Sequence, residues 1–187
     1  EQALEKIMTE QKAKNATGLV MNAKTAEVLA ISTKPSFDLN NIPRDDITKL
    51  FDESKIKAIT DVYEPGSTFK ILTLAAALEE GAVSENDRFY CGGSRVIDGV
   101  KIRCWRSIGH GSQDLQEGLA NSCNCVFMEL AMRLGVDKFY DYMQKFGLGQ
   151  KTGISLAGEV GGILMDKSIV KRVDLARMGF GHAVAVT

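Results

Sequence analysis

From Ile71 to Leu78 every position except Thr73 is apolar, and a helix that is apolar nearly all round is one that a fold buries. Pro65-Gly66 punctuates its entry and Gly81 supplies a C-terminal stop, so the pattern predicts a central helix over residues 67–80. Upstream, residues 1–14 carry Leu4, Ile7 and Met8 on one side of a helix. Thr17-Gly18-Leu19-Val20-Met21-Asn22 and Glu27-Val28-Leu29-Ala30-Ile31-Ser32 read as strands joined by a turn at Asn22-Ala23-Lys24-Thr25, a β-hairpin ended by Pro35. Residues 36–60 are polar, with Pro43 and several charges, and predict a surface excursion with short helices. Asp98-Gly99 between β-branched runs predicts a second hairpin over 94–105, because a type I′ turn needs φ > 0 at both central residues. Further helices are expected at 113–121, at 125–135 ending on Gly135, and at 137–146, followed by a loop marked by Gly147, Gly149 and Gly153. Early strands and a helical middle give an α+β class, with one antiparallel sheet and a helical region beside it.

The chain's 187 residues fit a single domain, with 1–14 as a linker helix. Its hydrophobic share of 44% and charged share of 25% suit a globular chain with a sizeable core. The net charge of −1 leaves no electrostatic footprint for nucleic acid. No apolar run reaches the roughly 18 residues that a membrane-spanning helix needs, and no signal peptide is visible. The opening Glu1-Gln2-Ala3-Leu4-Glu5 has the character of a helix interior, so the chain is expected to be a piece of a longer protein.

Ser67-Thr68-Phe69-Lys70 is an S-x-x-K at the head of the apolar helix. On a helix, positions i and i+3 share a face, so a lysine amine reaches a serine hydroxyl one turn back. Serine is a weak nucleophile until a base takes its proton. Lysine becomes such a base when desolvation disfavours its charged form, and the apolar surroundings of Lys70 provide that setting. The helix N-terminus adds backbone N–H groups close to Ser67, suited to developing negative charge. The bland alternative is a surface lysine on a single polar stripe.

The longer string Tyr63-Glu64-Pro65-Gly66-Ser67-Thr68-Phe69-Lys70 resembles the nucleophile segment of class B penicillin-binding proteins. Ser122-Cys123-Asn124 resembles the second motif of that family, S-x-N, and the stretches 17–41, 147–159 and 179–187 resemble others. The match begins near residue 15 and covers nearly the whole chain. It departs at Ala26, where the family commonly has glycine, which suggests a turn built differently there. It departs again at Ala157, where proline is common. The resemblance implies a penicillin-binding, serine β-lactamase-like transpeptidase fold. It implies Ser67 as the acylated residue, Lys70 as its proton acceptor, Ser122 as a proton relay, and Asn124 as the group orienting the Lys70 amine and the substrate amide. Lys151-Thr152-Gly153 spells the third motif, K-T-G, but Ile154 follows it where the catalytic copy has Ser or Thr. It is therefore read as structural, and the catalytic strand is expected to be missing from the chain, leaving the catalytic set incomplete.

Cys91, Cys104, Cys123 and Cys125 are too few for a disulfide-built scaffold. The Asp98-Gly99 turn sets Ile97 opposite Val100 and Gly93 opposite Cys104, which makes Cys91 and Cys104 diagonal neighbours unless Gly92-Gly93 distorts the ladder. With His110 close behind, the group is compatible with a structural zinc site. Cys91, Cys104 and His110 are the first choices, with Cys125 as the fourth because Cys123 holds the variable place in S-x-N. A Cys91–Cys104 disulfide and buried free thiols also fit. Trp105 reads as core packing, and His182 as a loop or packing histidine.

The cysteine, tryptophan and Gly-His-Gly pattern is most similar to the sporulation-specific members of class B. The family resemblance implies a peptidoglycan D,D-transpeptidase that takes stem peptides, binds β-lactam antibiotics and needs no cofactor for catalysis. It also implies an N-terminal membrane anchor, an extracytoplasmic position (the forespore membrane for the sporulation type) and a membrane-embedded glycosyltransferase partner. A serine β-lactamase or β-lactam sensor, and a non-catalytic scaffold domain, are the competing readings.

Overall fold

The computed structural model describes residues 1–187, and the chain forms two compact units. The first comprises Glu1–Val62, Gly153–Val160 and Thr187. In it, helix α1 (Gln2–Gln11) packs on an antiparallel hairpin of β1 (Ala16–Met21) and β2 (Val28–Lys34). Gly18 makes the approach close: a β-carbon there would lie 3.3 Å from the Leu4 side chain. Lys34 fastens the far strand to the helix through Glu1 (3.1 Å) and Glu5 (2.8 Å). The hairpin turn corrects one expectation. Ala26 itself takes the left-handed conformation, at φ 60°, held by its N–H donating to the Asn22 carbonyl at 2.8 Å. The Asn22 side chain accepts from the N–H groups of Lys24 and Thr25. The polar excursion contains the expected short helices, α2 (Ile47–Glu53), capped by Asp46, and α3 (Lys57–Thr60).

The second unit comprises Tyr63–Thr152 and Gly161–Val186. Gly66–Phe69 forms a turn of 3₁₀ helix that runs directly into α4 (Lys70–Glu79). Then follow β3 (Arg88–Cys91), β4 (Ser94–Ile97), β5 (Val100–Arg103), β6 (Gly111–Asp114), α5 (Leu115–Ala120), α6 (Asn124–Lys145) and α7 (Arg172–Met178). The β4–β5 hairpin has the predicted register, Ile97 opposite Val100, with positive φ at both Asp98 (47°) and Gly99 (81°).

The strands form three two-stranded sheets, not one. Gly93, at φ 87°, turns the chain between β3 and β4, so β3 leaves that ladder and pairs with β6 instead. The helix expected from residue 113 starts later for a related reason. Gln113 lies in β6, and Asp114 caps α5 through a reciprocal pair with Glu117, each carboxylate accepting the other residue's N–H at 2.8 Å. The expected break at Gly135 is present as a kink, φ 75°, within the run of α6.

The core is centred on α6, where Val126, Phe127, Met128, Leu130 and Ala131 are fully buried. Helix α4 packs beside it through Ala76 and Ala77, while Ile71 on its other side is exposed. Thr73, the one polar interruption, donates its hydroxyl to the Gly179 carbonyl at 3.0 Å and ties α4 to the end of α7.

Candidate active site

Lys70 is only 1% exposed although it carries an amine. Its Nζ lies within hydrogen-bond distance of four oxygens: the carbonyl of Ser122 at 2.7 Å, Asn124 Oδ1 at 2.8 Å, Ser122 Oγ at 2.9 Å and Ser67 Oγ at 3.2 Å. The residues singled out in the two motifs thus meet at one nitrogen, brought together by α4 and the loop that enters α6. The four partners differ in kind. The carbonyl oxygens of Ser122 and Asn124 only accept, whereas the two hydroxyls can also donate. A neutral amine fits this set, donating two N–H groups to the carbonyls and turning its lone pair toward a hydroxyl. Burial pushes the Lys70 pKa down to about 8, against an opposing pull from Cys104 and Cys123. The Phe127 ring stands 5.4 Å from the nitrogen.

The serine is presented by a tight turn. Gly66 has φ 59° and donates its N–H to the Gly181 carbonyl at 3.0 Å. A β-carbon on Gly181 would fall 2.0 Å from the Gly66 carbonyl oxygen, so only glycine allows the two backbones to meet. Tyr63 and Val186 bridge through paired hydrogen bonds of 2.9 Å, and Glu64 accepts the Ala183 N–H at 2.8 Å. The segment after α7 therefore braces the turn that carries Ser67.

A cavity of about 520 Å³ opens over these groups, lined by Ser67, Trp105, Ser122, Asn124, Phe180 and His182. Lys151-Thr152-Gly153 is not on its wall. Trp105 is not core packing: it is 66% exposed and faces the cavity. His182 lines the same cavity, its ring 4.9 Å from that of Phe180 and its Nδ1 4.0 Å from Glu64. Neither role was legible from hydrophobic periodicity, which reports burial tendency and not which loops converge.

Beside the site lies a second cluster. Ligand atoms of Cys91, Cys104, His110 and Cys123 all lie within 4.8 Å of one another. Cys91 reaches the group from β3, where it pairs with Gly111, and not along the ladder of Cys104. The fourth member is Cys123 and not Cys125. Asn124 opens α6, so Cys123 sits at the helix entrance with its sulfur in the group, while Cys125, one residue into the helix, lies against Cys91 and Cys123 outside it. The Cys125 thiol hydrogen-bonds to the Cys123 sulfur, which pulls the Cys123 pKa down and pushes that of Cys125 up. His110 Nδ1 is 3.7 Å from the Cys104 sulfur, and its Nε2 is buried without a hydrogen-bond partner. A tetrahedral zinc with bonds of about 2.0–2.3 Å holds its ligands roughly 3.5–3.8 Å apart, so this set of three sulfurs and an imidazole has the donor chemistry for that ion and would close on it by up to about 1 Å.

Residues 16–187 match the family described as the penicillin binding protein transpeptidase domain. The chain is 45% identical over 170 residues to stage V sporulation protein D of Bacillus subtilis (strain 168), covering 90% of this chain and 26% of that protein. It is 30% identical over 183 residues to peptidoglycan D,D-transpeptidase MrdA of Acinetobacter baumannii, covering 90% of this chain and 27% of that protein. The crystal structure of a peptidoglycan glycosyltransferase from Burkholderia ambifaria superposes with a TM-score of 0.85 at 25% identity, over 100% of this chain and 53% of that one. The chain spans about a quarter of the length of these two curated relatives. With a serine, a buried lysine and an S-x-N loop converging on one nitrogen in a fold of this kind, the chain belongs to the transpeptidase-domain family of class B penicillin-binding proteins.

Proposed function

We propose that the chain carries the nucleophile half of a peptidoglycan D,D-transpeptidase site and acts through an acyl-enzyme on Ser67. The observation that carries this reading is the contact of a desolvated Lys70 amine with Ser67 Oγ at 3.2 Å. Neutral Lys70 takes the Ser67 proton as Oγ attacks the carbonyl carbon of the penultimate D-alanine in a stem peptide. The tetrahedral intermediate collapses, the C–N bond breaks, and the terminal D-alanine leaves with a proton passed from Lys70 through Ser122 Oγ, 2.9 Å away. A neighbouring stem-peptide amine then attacks the Ser67 ester; its proton passes through Lys70 to Ser67 Oγ as the ester C–O bond breaks, which forms the cross-link and restores the hydroxyl and the neutral amine. Asn124 holds the amine through Oδ1 while its Nδ2 donates to the Arg103 carbonyl at 3.4 Å. β-Lactams enter the same first step and stall as stable esters. The test is release of D-alanine from a pentapeptide donor in the presence of an acceptor amine, by protein that also carries the third-motif strand. The wild type releases it and Ser67→Ala does not; equal release by both sinks the reading.

The similarity to stage V sporulation protein D and the cysteine cluster both support placing this activity in spore peptidoglycan synthesis, at the outer face of a membrane and beside a glycosyltransferase of the membrane-embedded type. No helix of the chain is long and apolar enough to cross a membrane.

The cluster of Cys91, Cys104, His110 and Cys123 is proposed to hold a structural zinc ion. When bound, zinc would supply a cross-link between the β3–β6 pair, the β4–β5 hairpin and the S-x-N loop. The residues would anchor Cys123 between Ser122 and Asn124, both of which hold Lys70. Elemental analysis after metal-replete expression should find a stoichiometric ion, and a far substoichiometric content would refute it.

A further inference from the structure

Trp105 is the single tryptophan of the chain, and its side chain is spent neither on the core nor on a free surface. It stands on the wall of the cavity that holds Ser67. Scattered exposed apolar residues are ordinary, but this one is tethered. Its indole N–H donates to the Asn121 carbonyl at 3.0 Å, and its ring meets His110 edge-on, centroids 5.3 Å apart at 62°. The neighbouring Arg103 carbonyl accepts from Asn124. The 103–105 segment is therefore bound to the S-x-N loop on both sides of Ser122. Phe180, the other large apolar residue of the cavity, is 4% exposed and forms its floor. Trp105 thus supplies the open apolar area beside the nucleophile.

The indole N–H is already used, so the group presents carbon surface and not a hydrogen-bond donor. A rigid aromatic wall with few rotatable bonds gains contact at little entropic cost. We infer that Trp105 is a specificity-determining residue that packs against the apolar substituent on the acyl donor, the group amide-linked next to the unit that Ser67 attacks. This rests on the acyl-enzyme reading above. It adds that the chain discriminates donors by that substituent, through one side chain that takes no part in proton transfer.

The test compares benzylpenicillin, which carries a phenylacetyl group, with 6-aminopenicillanic acid, which lacks it. Second-order acylation rate constants are measured for wild type, Trp105→Ala and Trp105→Phe, with thermal unfolding as the control for folding. Trp105→Ala should lower the rate-constant ratio of benzylpenicillin to 6-aminopenicillanic acid by about tenfold, and Trp105→Phe should keep most of it. An unchanged ratio overturns the inference. So does a fall of both rate constants together, which would mean that Trp105 only props up the S-x-N loop. A second arm removes the chemistry: in Ser67→Ala the emission of the sole tryptophan is followed while each compound is titrated. A response to benzylpenicillin at concentrations where 6-aminopenicillanic acid gives little supports the contact even if the wild type forms no adduct, a result that would sink the acyl-enzyme reading alone. No discrimination in either arm overturns the contact itself.

Discussion

At the scale of residues, the site turns on the protonation of Lys70. Its pKa of about 8 lies below the ordinary lysine value because burial disfavours the ammonium. Acylation by a penicillin should therefore rise close to tenfold per pH unit below about 8 and level off above it, in a pH profile of the second-order rate constant. Lys70→Arg, which keeps the positive charge but cannot give up its proton, should lose about 10²- to 10⁴-fold in that rate constant. The same shift has a stability consequence. The unfolded chain binds its lysine proton up to a higher pH than the folded one, so the contribution of Lys70 to stability rises between about pH 8 and 10.5. Urea midpoints at those two pH values should show that rise relative to Lys70→Met, and identical pH dependence in both proteins would contradict it. Ala26 is the opposite kind of residue, strained with no chemistry attached. With φ at 60° it carries the left-handed penalty that glycine avoids, so Ala26→Gly should stabilise the first unit by about 0.5–1 kcal/mol in chemical denaturation.

At the scale of elements, the local features were legible and the convergent ones were not. Asp98-Gly99 announced its hairpin because a type I′ turn is specified by the residues within it, and Gly135 announced the break in α6. Ser67 and Lys70 could be paired from spacing alone, since one helical turn relates them. The fourth member of the cysteine cluster could not be, because it depends on how β3, β6 and the start of α6 approach one another across long loops. The place of Cys123 in the motif argued for variability, while its position at the helix entrance aims its sulfur at Cys91 and Cys104. Metal content decides between the two sulfurs: Cys123→Ala should lose the ion, and Cys125→Ala should retain it. The α7 segment also escaped the sequence reading, yet the loop after it braces the nucleophile. Gly181→Ala would set a β-carbon against the Gly66 carbonyl. It should slow acylation by an order of magnitude or more, measured on folded protein, because the turn that aims Ser67 must move.

At the scale of the whole molecule, one buried helix, α6, organises both clusters. Its entrance carries Cys123 and Asn124, so the loop that holds Lys70 is also the loop that offers a sulfur to the cluster. Within this account the cluster does no chemistry of acyl transfer; it holds Ser122 and Asn124 where the Lys70 amine needs them. Family membership gives the fold and the motifs; the convergence on Lys70 is what supports the proposed acyl transfer through Ser67. The most direct test of that claim is the intact mass of the protein after incubation with benzylpenicillin, beside Ser67→Ala. The account predicts a stable gain of one penicillin mass that maps to Ser67 and is lost in the variant; an adduct that persists in Ser67→Ala, or none in the wild type, would contradict it.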